Sequence, residues 1–483
     1  MNKSLKILNT RKYSVLFVSI LTILYSCVPG KAIIRAESKI VPEQYKGQII
    51  DTVNDVTVKW KDFFKDSNLE GLIHTALTNN QELNIMLQHM NIAQNEIQAK
   101  KGEYVPYVNI YLGAEVEKVG EYTRNGAIEK NLNIREGRAF PEPLKNFTGG
   151  LSASWEIDIW KKLRNGKKAA VLEYLASVEG IQFMKTQLIA EIASVYYELI
   201  TLDNQLEIID QNLSIQQNAL RMVKLQKEAA RTTQLAVRRF EAEVLKNQSN
   251  KYQVRQKIVE NENKINFLVG RYPQAVLRNS NDFITKAIDS VAAGIPLQLL
   301  ENRPDIRRAE LELSASKLNV KIAKANFYPT IDIKANMGLE AFKTTFLKNT
   351  PESLLYALAG DVVSPLINRN GIKAAYKNAN SKQLQAVFEY EKTILTAYLE
   401  VSNQLSNIKN LQKSFELKEK QVQALKESID LSIQLFKSAK AEYTEVLLTQ
   451  REVLDARLEI IETKRDQLLA NVKLYQSLGG GWR

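Results

Sequence analysis

Few residues in this chain of 483 are arranged for chemistry. Its two histidines, His74 and His89, are fifteen positions apart (74 to 89). On a single helix that separation is about four turns, too far for both rings to reach one metal ion. The 54 acidic residues supply carboxylate pairs in quantity, but no pair is set apart as a general acid and base. Gly479-Gly480-Gly481 is followed by Trp482, not by the Lys and Ser or Thr of a phosphate-binding loop, so it reads as a flexible helix end. Arg303-Pro304-Asp305 reads as a helix start, with Pro at the first helical position and Asp complementing the positive helix end. The sequence predicts no catalytic residue, no cofactor and no metal site.

The one reactive side chain is Cys27, the only cysteine, so no disulfide is available. It follows a basic start (Lys3, Lys6, Arg11, Lys12) and an apolar stretch from Tyr13 to Tyr25, the layout of an export signal. Leu24-Tyr25-Ser26-Cys27 resembles a bacterial lipobox, where cleavage before the cysteine leaves it as a lipidated N-terminus. A cysteine consumed by acylation reconciles an exported chain with the lack of a pairing partner.

Beyond this leader no apolar run reaches the 18 residues or more that a transmembrane helix needs. A membrane crossing by this chain must therefore use a closed barrel. The net charge of +12 does not point to nucleic acid, because Lys and Arg interleave with Glu, as between Lys409 and Glu427. With only 20 Gly and 11 Pro, long helices are expected.

Those helices are visible in the apolar spacing. Leu188, Ile192, Val195, Leu199, Leu202, Leu206, Ile209, Leu213, Gln216, Leu220 and Val223 advance by fours and threes, and only Gln216 is polar. Such spacing marks a left-handed coiled coil, here on a helix from about Lys167 to Glu228. The pattern returns at Ile394, Tyr398, Val401, Leu405, Ile408, Gln412, Phe415, Glu419 and Val422. Companion stripes follow each long helix, and Val237 and Leu447, like Leu268 and Leu478, are 210 positions apart. The chain reads as an internal duplication. Its expected parts are a signal peptide at 1–26, a lipidated extended segment at 27–68, a first repeat at 69–270, a linker at 271–298, a second repeat at 299–480 and a tail at 481–483. Two shorter helices, about 69–103 and 233–269, would stack end to end beside the first long one.

Each repeat also holds two runs of alternating character. Strands are predicted at about 105–117, 147–159, 329–339 and 354–363, with segments 118–146 and 340–353 as the loops between them. Each is about the length of a tilted barrel strand. Four strands cannot close a barrel, for which about eight is the minimum. Open edges in lipid would leave peptide groups unpaired, so several copies must share one barrel.

Several blocks remain: Trp60-Lys61-Asp62-Phe63-Phe64; Trp155-Glu156-Ile157-Asp158-Ile159-Trp160; Gly294-Ile295-Pro296 through Arg303-Pro304-Asp305-Ile306; Phe327-Tyr328-Pro329; and Leu478-Gly479-Gly480-Gly481-Trp482. In this order they resemble outer-membrane efflux lipoproteins of the TolC-like superfamily. The resemblance covers roughly 60–482. It implies an α+β membrane protein: a homotrimer sharing a 12-stranded barrel, four strands from each chain, with a long α-helical coiled-coil tunnel in the periplasm. It also implies an inner-membrane efflux pump and a periplasmic adaptor as partners. The expected function is passive conduction from periplasm to exterior through a helical gate. The tip turns at 227–237 and 437–447 supply the candidates for gating and adaptor docking, Arg231, Thr232, Lys440 and Glu442. Members often carry a glycine there, whereas this chain reads Lys227-Glu228-Ala229-Ala230-Arg231 and Lys437-Ser438-Ala439-Lys440-Ala441. Two other readings are a channel for type I protein secretion and a periplasmic adaptor lipoprotein. The adaptor would have one helical hairpin and a β-rich lipoyl-like region in place of two helical pairs and four strands.

Overall fold

A computed structural model describes residues 35–45, 58–281, 283–286, 291–438 and 440–482. The signal peptide and Cys27 lie outside them. The first repeat runs α1 (Trp60–Phe63), α2 (Ser67–Asn79), α3 (Gln81–Gly102), β1 (Tyr107–Glu117), α4 (Arg124–Asn131), β2 (Asn133–Arg135), β3 (Arg138–Ala139), β4 (Leu144–Glu156), α5 (Lys162–Glu228) and α6 (Gln234–Leu268). The second runs α7 (Leu299–Asn302), α8 (Pro304–Ala325), β5 (Thr330–Ala341), β6 (Leu354–Val363), α9 (Asn370–Lys437) and α10 (Tyr443–Ser477). The chain forms two compact units.

The first unit comprises Asn91–Leu175 and Leu311–Val387, and holds an antiparallel sheet in the order β1-β4-β5-β6. Its register follows the alternation, because a one-residue slip would move every apolar side chain to the polar face. Ile110 pairs with Leu151, Leu151 with Met337, and Met337 with Tyr356. β4 occupies 144–156, where the alternation suggested 147–159. The difference has a local cause. The Asp158 carboxylate accepts hydrogen bonds from the Leu163 and Arg164 amides at 3.1 and 2.9 Å, so it caps α5. That cap removes Ile157–Ile159 from the strand and starts the helix at Lys162, ahead of the expected Lys167. The first loop is not featureless: it folds into α4 and the β2–β3 ribbon. Arg135 of this loop stacks over Phe346 of the second loop, with its guanidinium carbon 4.5 Å from the ring centroid.

The second unit comprises Glu37–Met90, Ala176–Glu310 and Phe388–Arg483, and is helical. The heptad positions Leu188, Ile192, Val195 and Leu199 of α5 pack with Leu69 and Ile73 of α2, Ile265 of α6 and Leu468 of α10 in one apolar core. Asp66 caps α2 through the Asn68 and Leu69 amides and accepts a hydrogen bond from the Tyr196 hydroxyl at 3.0 Å. The expected single helix over 69–103 is two helices broken at Asn80. The Asn80 side chain donates to the Leu268 carbonyl at 2.9 Å and caps α3 by accepting from the Leu83 amide at 2.9 Å. His74 and His89 therefore sit on different helices, both exposed.

The second repeat has the same joint, built with Arg303. Its guanidinium grips Asp305 twice (2.9 and 2.6 Å), Glu400 at 2.6 Å and the Ser477 carbonyl at 2.9 Å. Pro304 opens α8, so the predicted helix start is also a buried ion-pair hub. Burial works against the Arg303 charge, but Asp305 and Glu400 hold the group well above its ordinary pKa. The duplication is registered by helix caps. Gly270 (φ 72°) and Gly479 (φ 91°) follow α6 and α10, and the Arg271 and Gly480 amides reach back to Asn266 and Tyr475 in Schellman-type bonds. These glycines are 209 positions apart (270 to 479), not 210, as are both ends of the two helices (234 and 443, 268 and 477). The glycine run allows either alignment, and only the backbone conformation decides between them. The same run is not a flexible end, because Gly479, Gly480 and Gly481 are all buried.

A Cβ on Gly270 would lie 2.5 Å from the Asn79 carbonyl oxygen, while one on Gly71, within α2, meets nothing within 4 Å. Gly270→Ala is therefore expected to destabilise by about 2 kcal/mol or more, since the left-handed backbone alone costs roughly 1–2 kcal/mol without glycine. Gly71→Ala should stabilise by about 0.5–1 kcal/mol. Thermal unfolding of the two variants reads the opposite signs.

Candidate functional site: a pore wall and two helical tips

The sheet has two chemically distinct faces. One carries Val108, Ile110 and Leu112 of β1, Leu151 and Trp155 of β4, Ile333 and Met337 of β5, and Tyr356 and Leu358 of β6. Leu112 is 85% exposed and Leu358 78%. A continuous apolar face of this size, left bare by its own chain, belongs against lipid. The opposite face is polar and mostly acidic: Glu115, Glu156, Asp332, Glu340 and Asp361 alternate with the apolar set, and Lys334 lies among them. Glu156, Asp332 and Asp361 are direct cross-strand partners in one row. Like charges facing each other in a ladder are unfavourable. Lys162 binds Glu156 at 2.6 Å and Lys334 binds Asp361 at 2.9 Å, which offsets part of that repulsion.

The tips are the turns from α5 to α6 and from α9 to α10. Arg231, exposed, and Thr232, half-buried, stand on the first turn; Lys440 and Glu442, both exposed, stand on the second. Among the described residues no hydrogen bond or ion pair links the candidates of one turn to those of the other. An apolar cluster does join the two hairpins: Val223, Ala236, Val237 and Phe240 pack with Tyr443 and Leu447. The Arg231 amide closes a bond to the Gln226 carbonyl at 2.8 Å, and the Lys440 amide one to Leu435 at 2.8 Å. In the first turn the left-handed position is Ala230, at φ 58°, where the equivalent inner cap has glycine. Thr233 caps α6 by accepting from the Ala236 amide.

Gln216, the polar break in the first heptad run, has a partner that sequence spacing did not reveal. Its carbonyl oxygen accepts from the Asn247 amide at 3.0 Å, and both residues are 1% exposed. Asn212, one turn away, and Gln450 of α10 are also buried. The signal was present in the sequence as one amide at a core position of α5, but its partner is 31 residues away on another helix.

A lipid-facing four-stranded sheet joined to paired coiled-coil helices defines an outer-membrane channel protein. Comparison with known proteins gives the same class. The family model "Outer membrane efflux protein" matches residues 72–271 and 295–480. The chain is similar to the pyoverdine export outer membrane protein OpmQ of Pseudomonas aeruginosa, with 26% identity over 89% of this chain and 88% of the relative. It is similar to the solvent efflux pump outer membrane protein SrpC of Pseudomonas putida at 26% identity, over 88% of this chain and 87% of the relative. Among solved structures, the open state of the Neisseria gonorrhoeae MtrE outer membrane channel superposes with a TM-score of 0.81 at 21% identity, covering 94% of this chain and 98% of that one. The chain belongs to the outer membrane efflux protein family, whose members are transport channels of the outer membrane. Its fold is that of the MtrE channel, with a four-stranded antiparallel sheet and a set of long helices in the chain.

Two outcomes follow from this geometry. Leu112→Arg places a charge on the lipid side and should cost about 2–4 kcal/mol near mid-bilayer, whereas Asn336→Arg on the polar face should leave stability nearly unchanged; urea dissociation of the channel in vesicles measures both. Gln216→Leu alone strands the Asn247 amide and should cost about 1–3 kcal/mol, most of it recovered in the Gln216→Leu/Asn247→Leu double variant. Thermal unfolding of the three variants closes that cycle.

Proposed function

We propose that three copies close one barrel, β1 of each pairing with β6 of the next, and that the channel conducts cargo passively from periplasm to exterior as the outer-membrane component of a tripartite efflux pump. The observation that supports this reading is the sheet itself, which has one predominantly apolar face and, among the described residues, two edge strands each paired along one side only. In hydrocarbon each unpaired peptide group costs several kcal/mol, so the edges need neighbours of the same kind.

The remaining assignments rest on the family. An inner-membrane pump and a periplasmic adaptor complete the path, and the adaptor docks on the tips at 227–237 and 437–447. Cys27 carries lipid after removal of 1–26, and the segments 27–68 and 271–298 serve as lead-in and linker; the lead-in is not extended throughout, since it contains α1 and the start of α2. The chain contributes a conduit rather than a reaction. One relative is named for pyoverdine export and another for solvent efflux, cargoes of unlike chemistry, which fits a duct whose pump makes the selection. Arg231, Thr232, Lys440 and Glu442 form the gate and docking surface; packing between the hairpins holds the closed state, and a partner that binds the open state better shifts the balance.

Cysteines introduced at Arg231 and Lys440 and bridged with a short bifunctional maleimide should abolish efflux of a fluorescent dye from cells, with the uncrosslinked variant active. Undiminished efflux after complete bridging would remove the gate from these residues.

A further inference from the structure

Two places in the first unit share a backbone device that conduction leaves unused. After β4 and after β6 the chain swings from strand into long helix through one residue in the left-handed region, Lys161 (φ 60°) and Asn368 (φ 55°). Neither is glycine: Lys161 holds a conformation its side chain disfavours, while Asn368 is a residue type that tolerates it. Just before each stands an apolar pair. Ile159 and Trp160 are 49% and 40% exposed, and Leu366 and Ile367 are 67% and 90% exposed.

These pairs are held in place. Trp160 donates from its indole nitrogen to the Pro329 carbonyl at 2.7 Å and stacks on Tyr328 at 4.6 Å. The Asp158 cap fixes the chain on its other side. In the second elbow the buried Arg369 donates from Nε to the Pro365 carbonyl.

The charge that follows is one-signed. From Lys161 to Leu172 there are five basic residues and no acidic one, and from Ser364 to Lys382 four basic and none acidic. Lys161, Lys167, Lys168, Lys373 and Lys377 are exposed. Elsewhere, as between Lys409 and Glu427, the signs are mixed. Along the chain the order is therefore apolar sheet face, protruding apolar pair, then lysines. A bilayer presents that order from acyl chains to anionic headgroups.

We propose that the two elbows are membrane anchors. Ile159, Trp160, Leu366 and Ile367 enter the acyl boundary of the leaflet nearest the helices, and the lysine collars behind them bind its phospholipid phosphates. Each trimer then carries six such feet, which set the depth of the barrel in the bilayer. The proposal rests on the sheet spanning that bilayer, and one experiment separates the two.

Single nitroxide labels are placed at Ile367, Leu366, Leu112 and Lys413 in a Cys27→Ser chain exported on an ordinary cleavable leader. The trimer is reconstituted in protein-free vesicles of phosphatidylethanolamine and phosphatidylglycerol. Power saturation with oxygen and with a water-soluble nickel chelate reports depth. Labels at Ile367 and Leu366 should relax with oxygen and resist nickel, as Leu112 does, while Lys413 on the middle of α9 should be nickel-accessible. Nickel access at both 366 and 367 with Leu112 in lipid would overturn the anchors and leave the barrel standing; it would also be the result if a protein partner covers the elbows. Nickel access at Leu112 as well would bring down the spanning sheet and the anchors with it.

Discussion

A peptide group in hydrocarbon has no water to bond, and the rest of this structure depends on that constraint. Among the described residues no helix is long and apolar enough to cross a membrane, and the bare apolar face belongs to a sheet, whose peptide groups bond to neighbouring strands. The same constraint makes β1 and β6 unfinished surfaces, since among the described residues each has bonded peptide groups on one side only. The apolar face and the open edges are thus two expressions of one requirement: the side chains are matched to lipid, and the backbone waits for another copy. The acidic inner face follows from the same alternation, because every residue kept out of lipid points the other way.

The helical unit answers to a different solvent. In water the α5 seam gains stability by burying Leu and Ile at heptad positions, and a polar residue there needs a partner. Gln216 finds Asn247, and Arg303 finds two carboxylates and a carbonyl. The two sites differ in kind. The amide pair ties α5 to α6 near the tip, while Arg303 ties the start of α8 to α9 and to the end of α10. Charged groups are gathered where the helices end, and neutral amides interrupt the seam between them. Removing water from an ion pair is costly, so its retention at Arg303 is consistent with a joint that must be made in one way only.

Periodic features were legible in the sequence; features made by contacts distant along the chain were not. The heptads located α5 and α9, and the alternation located three strands cleanly and β6, whose alternation is less clear, as a run of the right length. The break at Asn80 was invisible because its cause is the Leu268 carbonyl, 188 residues away. The early end of β4 was hidden because Asp158 fits an alternating strand and a helix cap equally well, and only the Leu163 and Arg164 amides choose between them. The one-residue error in repeat spacing arose from three consecutive glycines, which composition cannot tell apart but dihedral angles can. Of the candidate site, sequence identified the two turns, yet it could not show that Tyr443 and Leu447 bind one hairpin to the other.

The turn at Ala230 carries a further implication. An L-residue in the left-handed region sits roughly 1–2 kcal/mol above its relaxed geometry. The inner ends of the companion helices avoid that penalty with Gly270 and Gly479, which are also wedged against neighbouring carbonyls. The outer end of α5 accepts it, with an exposed turn around it. The hairpin is therefore firmest at its root and slightly uphill at its extremity, so a visiting protein that reshapes the extremity meets a backbone already displaced from rest while the root stays still.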